Sequence, residues 1–185
     1  MNKEKNLHKK EIFDLAVQNQ KRNNLNIAQN LYIKVLEIDP NYVNAHYNLG
    51  VVFKELGNHK KAIDCYEKAI QINPNFELAH NILGVVFEEL GEHKKAIDCY
   101  ERTIQINPNY VHAYDNLGRI LGELNQFSKA KKYFEKALNL DKNRKKTCDN
   151  YGNLLLKLNQ YNIGLEYIRK GSGIIRFTEK DFKII

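Results

Sequence analysis

Gly50-Val51-Val52-Phe53-Lys54-Glu55-Leu56-Gly57-Asn58-His59-Lys60-Lys61-Ala62-Ile63-Asp64-Cys65-Tyr66 returns 34 residues later as Gly84-Val85-Val86-Phe87-Glu88-Glu89-Leu90-Gly91-Glu92-His93-Lys94-Lys95-Ala96-Ile97-Asp98-Cys99-Tyr100. Between 50–76 and 84–110, 22 of 27 positions are identical. Self-similarity at one fixed period marks an architecture of stacked supersecondary units. The same period extends in both directions. One small-residue column reads Ala16, Gly50, Gly84, Gly118, Gly152, and a second reads Ala28, Ala62, Ala96, Ala130, Gly164. Four residues further on come Tyr32, Tyr66, Tyr100, Phe134 and Ile168, and a proline column reads Pro40, Pro74, Pro108 and then Lys142.

Each column has a physical task. Leu49, Val52, Phe53 and Leu56 recur at helical spacing, which predicts a first helix with one apolar face. Gly57, Gly91, Asn125 and Asn159 follow. Glycine and asparagine tolerate the left-handed backbone that ends a helix, so these are predicted C′ positions. Ala62, Ile63, Tyr66, Ala69 and Ile70 form a second helix, which stops at proline because proline cannot extend it. The small residues let two antiparallel helices approach, and the aromatic fills the space beside them. No single pair can bury its apolar face alone, so the pairs must stack.

His46, Leu49, Gly50, Phe53, Ala62, Tyr66, Ala69 and Pro74 together resemble the tetratricopeptide repeat. In that phase the units are 9–42, 43–76, 77–110, 111–144 and 145–178. The resemblance implies an all-α, right-handed superhelical solenoid of about five antiparallel helix pairs over 1–170, its first helices lining a concave groove. Unit one departs with Ala16 and Asn19, and unit five with Gly164, Gly171 and Arg176, so the last helix is expected to hold only to Lys170. The remainder, 171–185, is a short non-repeat tail. Gly171-Ser172-Gly173 should break the helix. The apolar stretch beyond is expected to cap the open end of the last pair, in preference to starting a further domain. Thr178 with Asp181 has the spacing of a capping box for a short final helix.

Composition bounds the function. The chain has 185 residues, 43% hydrophobic and 28% charged, which suits a folded domain and not a disordered one. The N-terminus lacks an apolar signal core, and no apolar run approaches the roughly 20 residues that span a bilayer. A cytoplasmic protein without a membrane partner is expected. Three cysteines without a Cys-x-x-Cys pair argue against a disulfide framework or structural zinc. His46 with His80, His59 with His93, and Cys65 with Cys99 are copies of single columns, spaced about a repeat apart and not clustered on a metal. Gly171-x-Gly173 lacks a third glycine and a preceding strand. The sequence carries no phosphate loop, no His-Glu-x-x-His and no Gly-x-Ser-x-Gly. No catalytic residues, cofactor or metal are expected.

The net charge of +7 is uneven. Residues 77–110 carry three basic and six acidic residues, whereas 111–178 carry thirteen basic and six acidic. The basic half favours an acidic protein or peptide partner and salt-sensitive association. Nucleic acid is disfavoured, because the basic residues are not interleaved with aromatics and unit three interrupts the stripe.

The family resemblance, including that to the repeats of O-linked N-acetylglucosamine transferases, implies where such a partner binds. An asparagine just before the Leu-Gly step faces the groove in those repeats, and here Asn48, Asn116 and Asn150 stand at that place. An amide offers a donor and an acceptor to an extended peptide backbone. Asn44, Tyr47, Val51, Asn81, Val85, His112, Asp115, Arg119 and Lys146 would then select side chains. The carboxylate clamp of chaperone co-factors in this family is only partly matched, by Asn81/Val85, Asn116 and Lys146/Asn150, so no tight clamp is expected. The leading function is a non-catalytic adaptor that binds an extended peptide or a partner helix. The alternative is the targeting or substrate-recognition module of an enzyme whose catalytic domain lies elsewhere. The sequence leaves a monomer and a weak dimer both open.

Overall fold

The computed structural model describes the backbone of residues 2–173, 175–178 and 181–184, and the side chains of residues 7–173. Ten helices follow one another: α1 Asn2–Lys21, α2 Leu25–Ile38, α3 Val43–Glu55, α4 His59–Ile72, α5 Glu77–Glu89, α6 His93–Ile106, α7 Val111–Glu123, α8 Phe127–Leu140, α9 Lys145–Lys157 and α10 Tyr161–Ser172. They alternate as first and second helices with the period read from the sequence. The fold is an all-α array of helix pairs. Two compact parts, Met1–Cys99 and Tyr100–Ile185, meet within α6.

The predicted C′ positions all take left-handed backbone. The φ values are 75° at Gly57 and Gly91, 59° at Asn125 and 60° at Asn159, and Asn23 joins them at 62°. At Gly57 the amide bonds to Lys54 O at 2.9 Å and the next amide, Asn58 N, to Phe53 O at 2.8 Å. That is a Schellman closure, which satisfies two carbonyls the helix end would otherwise leave unpaired.

A second device closes the joint between pairs. Asp39, Asn73, Asn107 and Asp141 each accept a hydrogen bond from the amide two residues on, at 3.1 to 3.2 Å. Such Asx turns set the backbone themselves, so the fourth joint forms although Lys142 stands in the proline column. The next helix then ties back. His46 Nε2 reaches Pro40 O at 2.8 Å, His80 Nε2 reaches Pro74 O at 3.0 Å, and Tyr114 OH reaches Pro108 O at 3.0 Å. A carbonyl only accepts, so each of these histidines must carry its proton on Nε2. The histidine column is a structural tether.

In the N-terminal part the core is Ala28, Tyr32, Ala45, Val52, Ala62, Tyr66 and Ala69, all fully buried. A Cβ on Gly50 would lie 2.6 Å from Tyr66 Cε1, so only glycine admits that ring. In the C-terminal part Leu117, Ile120, Ala130, Phe134 and Ile168 play the same role. Full burial of each large side chain stabilises the fold by about 1.5–3 kcal/mol.

The end of the array differs from expectation in two ways. Helix α10 continues past Lys170 to Ser172, and the chain turns at Gly173, where φ is 90°. Gly171 does not break the helix. A Cβ there would overlap the Asp149 carboxylate and sit 2.7 Å from Lys145 O, so glycine is what lets α10 lie against α9. Ser172 Oγ donates to Asp149 Oδ1 at 2.7 Å, adding a hydrogen bond at the same contact. Beyond it, no final helix forms over Thr178 and Asp181. Strands β1 Ile175–Thr178 and β2 Asp181–Ile184 pair antiparallel, with Thr178 opposite Asp181 and Phe177 opposite Phe182. Alternation of large apolar residues with polar ones is the strand period, not the helical one. How the hairpin relates to the open end of the last pair lies outside the described side chains.

Candidate functional site

The expected groove residues fall into two groups. In the N-terminal part, Asn44 is exposed, and Val51, Asn81 and Val85 are half-buried on α3 and α5. Tyr47 is a packing residue. Its ring lies 6.0 Å from that of Tyr66 and 5.2 Å from that of Phe76, and burial raises its phenol above the ordinary range. Asn48 is also occupied. Tyr32 OH donates to Gln20 Oε1 at 2.8 Å and takes a hydrogen bond from the Asn48 side chain. Burial pushes the Tyr32 phenol up to about 12, partly offset by Asn48. The asparagine thus has a structural contact besides its place on the first helix.

In the C-terminal part the expected residues converge. Helix α7 carries His112, Asp115, Asn116 and Arg119; α9 carries Lys146 and Asn150. Asp115 is 1% exposed and accepts a hydrogen bond from Asn150 Nδ2 at 3.2 Å. A buried carboxylate needs such a donor. Asn116 is buried beside it. At the upper end Arg144 Nη2 donates to His112 Nδ1 at 2.8 Å. Arginine has no acceptor, so His112 Nδ1 must be unprotonated. Burial holds the His112 pKa below the ordinary histidine value, with Arg144 and Lys146 adding to the effect and Asp115 opposing it. At the lower end Arg119 pairs with Glu123 at 3.3 Å along the helix. Lys146 is exposed and has no ion-pair partner among the described residues.

At the Arg119 end lies a cleft of about 200 Å³, lined by Arg119 and Asn150 together with Gly118, Gly122, Phe134, Leu154 and Lys157 among others. Only Arg119 and Asn150 were legible as site residues. The signal for the rest sits in the repeat columns. Where pair one has Gln20 covering the Tyr32 hydroxyl, pair four has Gly122 and Phe134. The side chain and the hydroxyl are deleted together, and the space opens.

Other candidates for chemistry find structural explanations. Burial pushes the Cys65 thiol up to about 11, with Asp64 adding to it, and the Cys99 thiol to about 12, with Asp98 and Glu67 adding. Both are thiols, not thiolates, at neutral pH, and so poor nucleophiles. Among the described residues no group of three His, Cys, Asp or Glu is placed to hold a metal ion.

Comparison with known proteins agrees with the repeat fold. Models of the tetratricopeptide repeat match residues 43–76 and 76–143, and a further TPR model matches 21–57. The chain belongs to the tetratricopeptide repeat family. No curated protein sequence matches it. Among solved structures, PilF of Pseudomonas aeruginosa is 26% identical, with a TM-score of 0.84 over 91% of this chain and 77% of that one. MamA of Desulfovibrio magneticus is 20% identical, with a TM-score of 0.79 over 89% of this chain and 93% of its own. YrrB, described as a TPR protein with an unusual peptide-binding site, is 24% identical, with a TM-score of 0.70 over 88% and 84%. The last two share the fold. As a TPR array, the chain is a protein–protein interaction scaffold. Among the described residues no helix is long and apolar enough to cross a membrane.

Proposed function

We propose that this TPR array is a non-catalytic, cytoplasmic adaptor that binds an extended acidic peptide along the α7–α9 face. The observation that carries this reading is the convergence of His112, Asp115, Arg119, Lys146 and Asn150 from two first helices. The Asn150 amide, held by the buried Asp115, keeps its oxygen for a peptide N–H. Lys145 and Lys146 stand exposed in the first turn of α9, at the positive end of its dipole and with no acidic residue in that turn. A carboxylate-bearing partner supplies the missing negative charge. That YrrB, which shares the fold, is described as having a peptide-binding site supports a peptide as the ligand.

The test is a pull-down with the intact array against its Lys145→Glu, Lys146→Glu variant. Acidic residues at a helix N-terminus are favourable, so the variant should melt no lower than the parent. Specific partners should be lost from the variant, and from the parent as salt rises, since the screening length shrinks from about 8 Å at physiological salt to about 3 Å at 1 M. Equal capture by both proteins would refute the assignment.

A further inference from the structure

The structure assigns the cleft beneath Gly122 as a pocket for one apolar side chain of an acidic extended peptide. The assignment rests on the peptide-binding reading above and names what that peptide must present.

Gly122 is the first observation. It lies inside α7, where glycine weakens a helix by roughly 0.5–1 kcal/mol relative to alanine. The other glycines of these helices have a packing reason. A Cβ on Gly118 would meet the Phe134 ring at 2.8 Å, and one on Gly152 would meet Gly164 O at 2.7 Å. At Gly122 the nearest atoms to such a Cβ are Leu154 Cδ1 at 3.6 Å and Ala130 Cβ at 3.9 Å, both ordinary contacts. Gly122 is helical, with no left-handed φ to require it. Neither packing nor backbone geometry explains it, whereas an open space above Phe134 and Leu154 does.

The walls define the occupant. The Phe134 ring and Leu154 give an apolar floor. Asn150 and Asn153 stand on one rim with amides suited to a peptide backbone. Lys157 lines the same cleft and has no ion-pair partner among the described residues, while Arg119 faces it with its charge shared by Glu123. The net charge of the lining is positive. An aliphatic or single-ring side chain would fill the floor, and a neighbouring Asp or Glu would meet Lys157. Pockets of this kind, apolar with a few convergent polar groups, recognise anchors.

The experiment is selection of a random 12-residue peptide library on the intact protein, with affinities of the selected peptides then measured on variants. Selected peptides should share one apolar position next to an acidic one. Replacing that apolar residue by glycine should weaken binding by about tenfold to a hundredfold, the value of burying one such side chain. Gly122→Leu, which fills the cleft, should do the same. Lys157→Glu, on the exposed rim, tests the site without touching the core and should weaken binding at least severalfold. If the selected peptides bind Gly122→Leu and Lys157→Glu as tightly as the parent but lose affinity for Lys145→Glu, Lys146→Glu, the pocket is refuted and the groove stands. If no peptide is enriched, or none responds to any of these variants, both are refuted.

Discussion

Two glycines one helical turn apart on α7 should respond to alanine in opposite directions. Gly122→Ala places a Cβ 3.6 Å from Leu154 Cδ1 and 3.9 Å from Ala130 Cβ, so nothing has to move. The variant gains helix propensity of roughly 0.5–1 kcal/mol. Gly118→Ala gains the same propensity but drives its Cβ to 2.8 Å from Phe134 Cδ1 and Cε1 and 2.9 Å from Cγ. The ring is 2% exposed and lies directly against Gly118. Overpacking of that kind costs about 1–3 kcal/mol, which exceeds the propensity gain. For a chain of this length one kcal/mol moves Tm by about 2–4 °C. Thermal melts followed by far-UV circular dichroism should therefore place Gly122→Ala about 1–4 °C above the parent and Gly118→Ala several degrees below it. A Gly122→Ala protein that melts below the parent, or a Gly118→Ala protein that melts with it, would show that the α7 glycines are not distinguished by the space around them.

Removing the amide that holds Asp115 should be felt in stability. Asn150→Ala leaves a buried carboxylate without that donor and should cost about 1–3 kcal/mol by chemical denaturation, whereas the exposed Asn44→Ala should be neutral. His112 gives a pH dependence. Its folded pKa lies below the ordinary 6.5, so as pH falls the unfolded chain takes up the proton first. Stability then declines below about pH 6.5 and levels off once the folded His112 is also protonated. An NMR titration should find its midpoint below 6.5, and Arg144→Ala should raise it.

The repeat was legible because its columns answer backbone demands that any copy must meet. Gly57 and Asn125 are different residues with one property, tolerance of positive φ, and both were readable as helix ends. The structural contacts of Asn48 and Tyr47 were not legible, because a column gives a position on a helix but not the partner. The Tyr32 hydroxyl lies on another helix, and the Phe76 ring comes from the joint before α5. Gly171 looked like a breaker because glycine serves both to turn a chain and to let two helices touch. Only the Asp149 carboxylate and Lys145 carbonyl beside it decide which. The hairpin escaped notice because Thr178 and Asp181 fit a capping spacing as well as a cross-strand pair. Gly122 drew no attention as a departure, since an absent side chain leaves no chemistry to read.

The tether between pairs bears on how such a chain can lengthen. Within each copy the donor, such as His80, sits near the start, and its acceptor, Pro74 O, closes the copy before. His46 and Pro40 repeat the arrangement one copy earlier. A duplicated 34-residue segment thus carries an acceptor at its tail and a donor at its head. Inserted in register, it latches to both neighbours without any compensating change. Tyr114 shows that the donor can later be exchanged while the latch persists. Growth by whole copies is then nearly free of structural risk, and divergence can be spent on the faces between them.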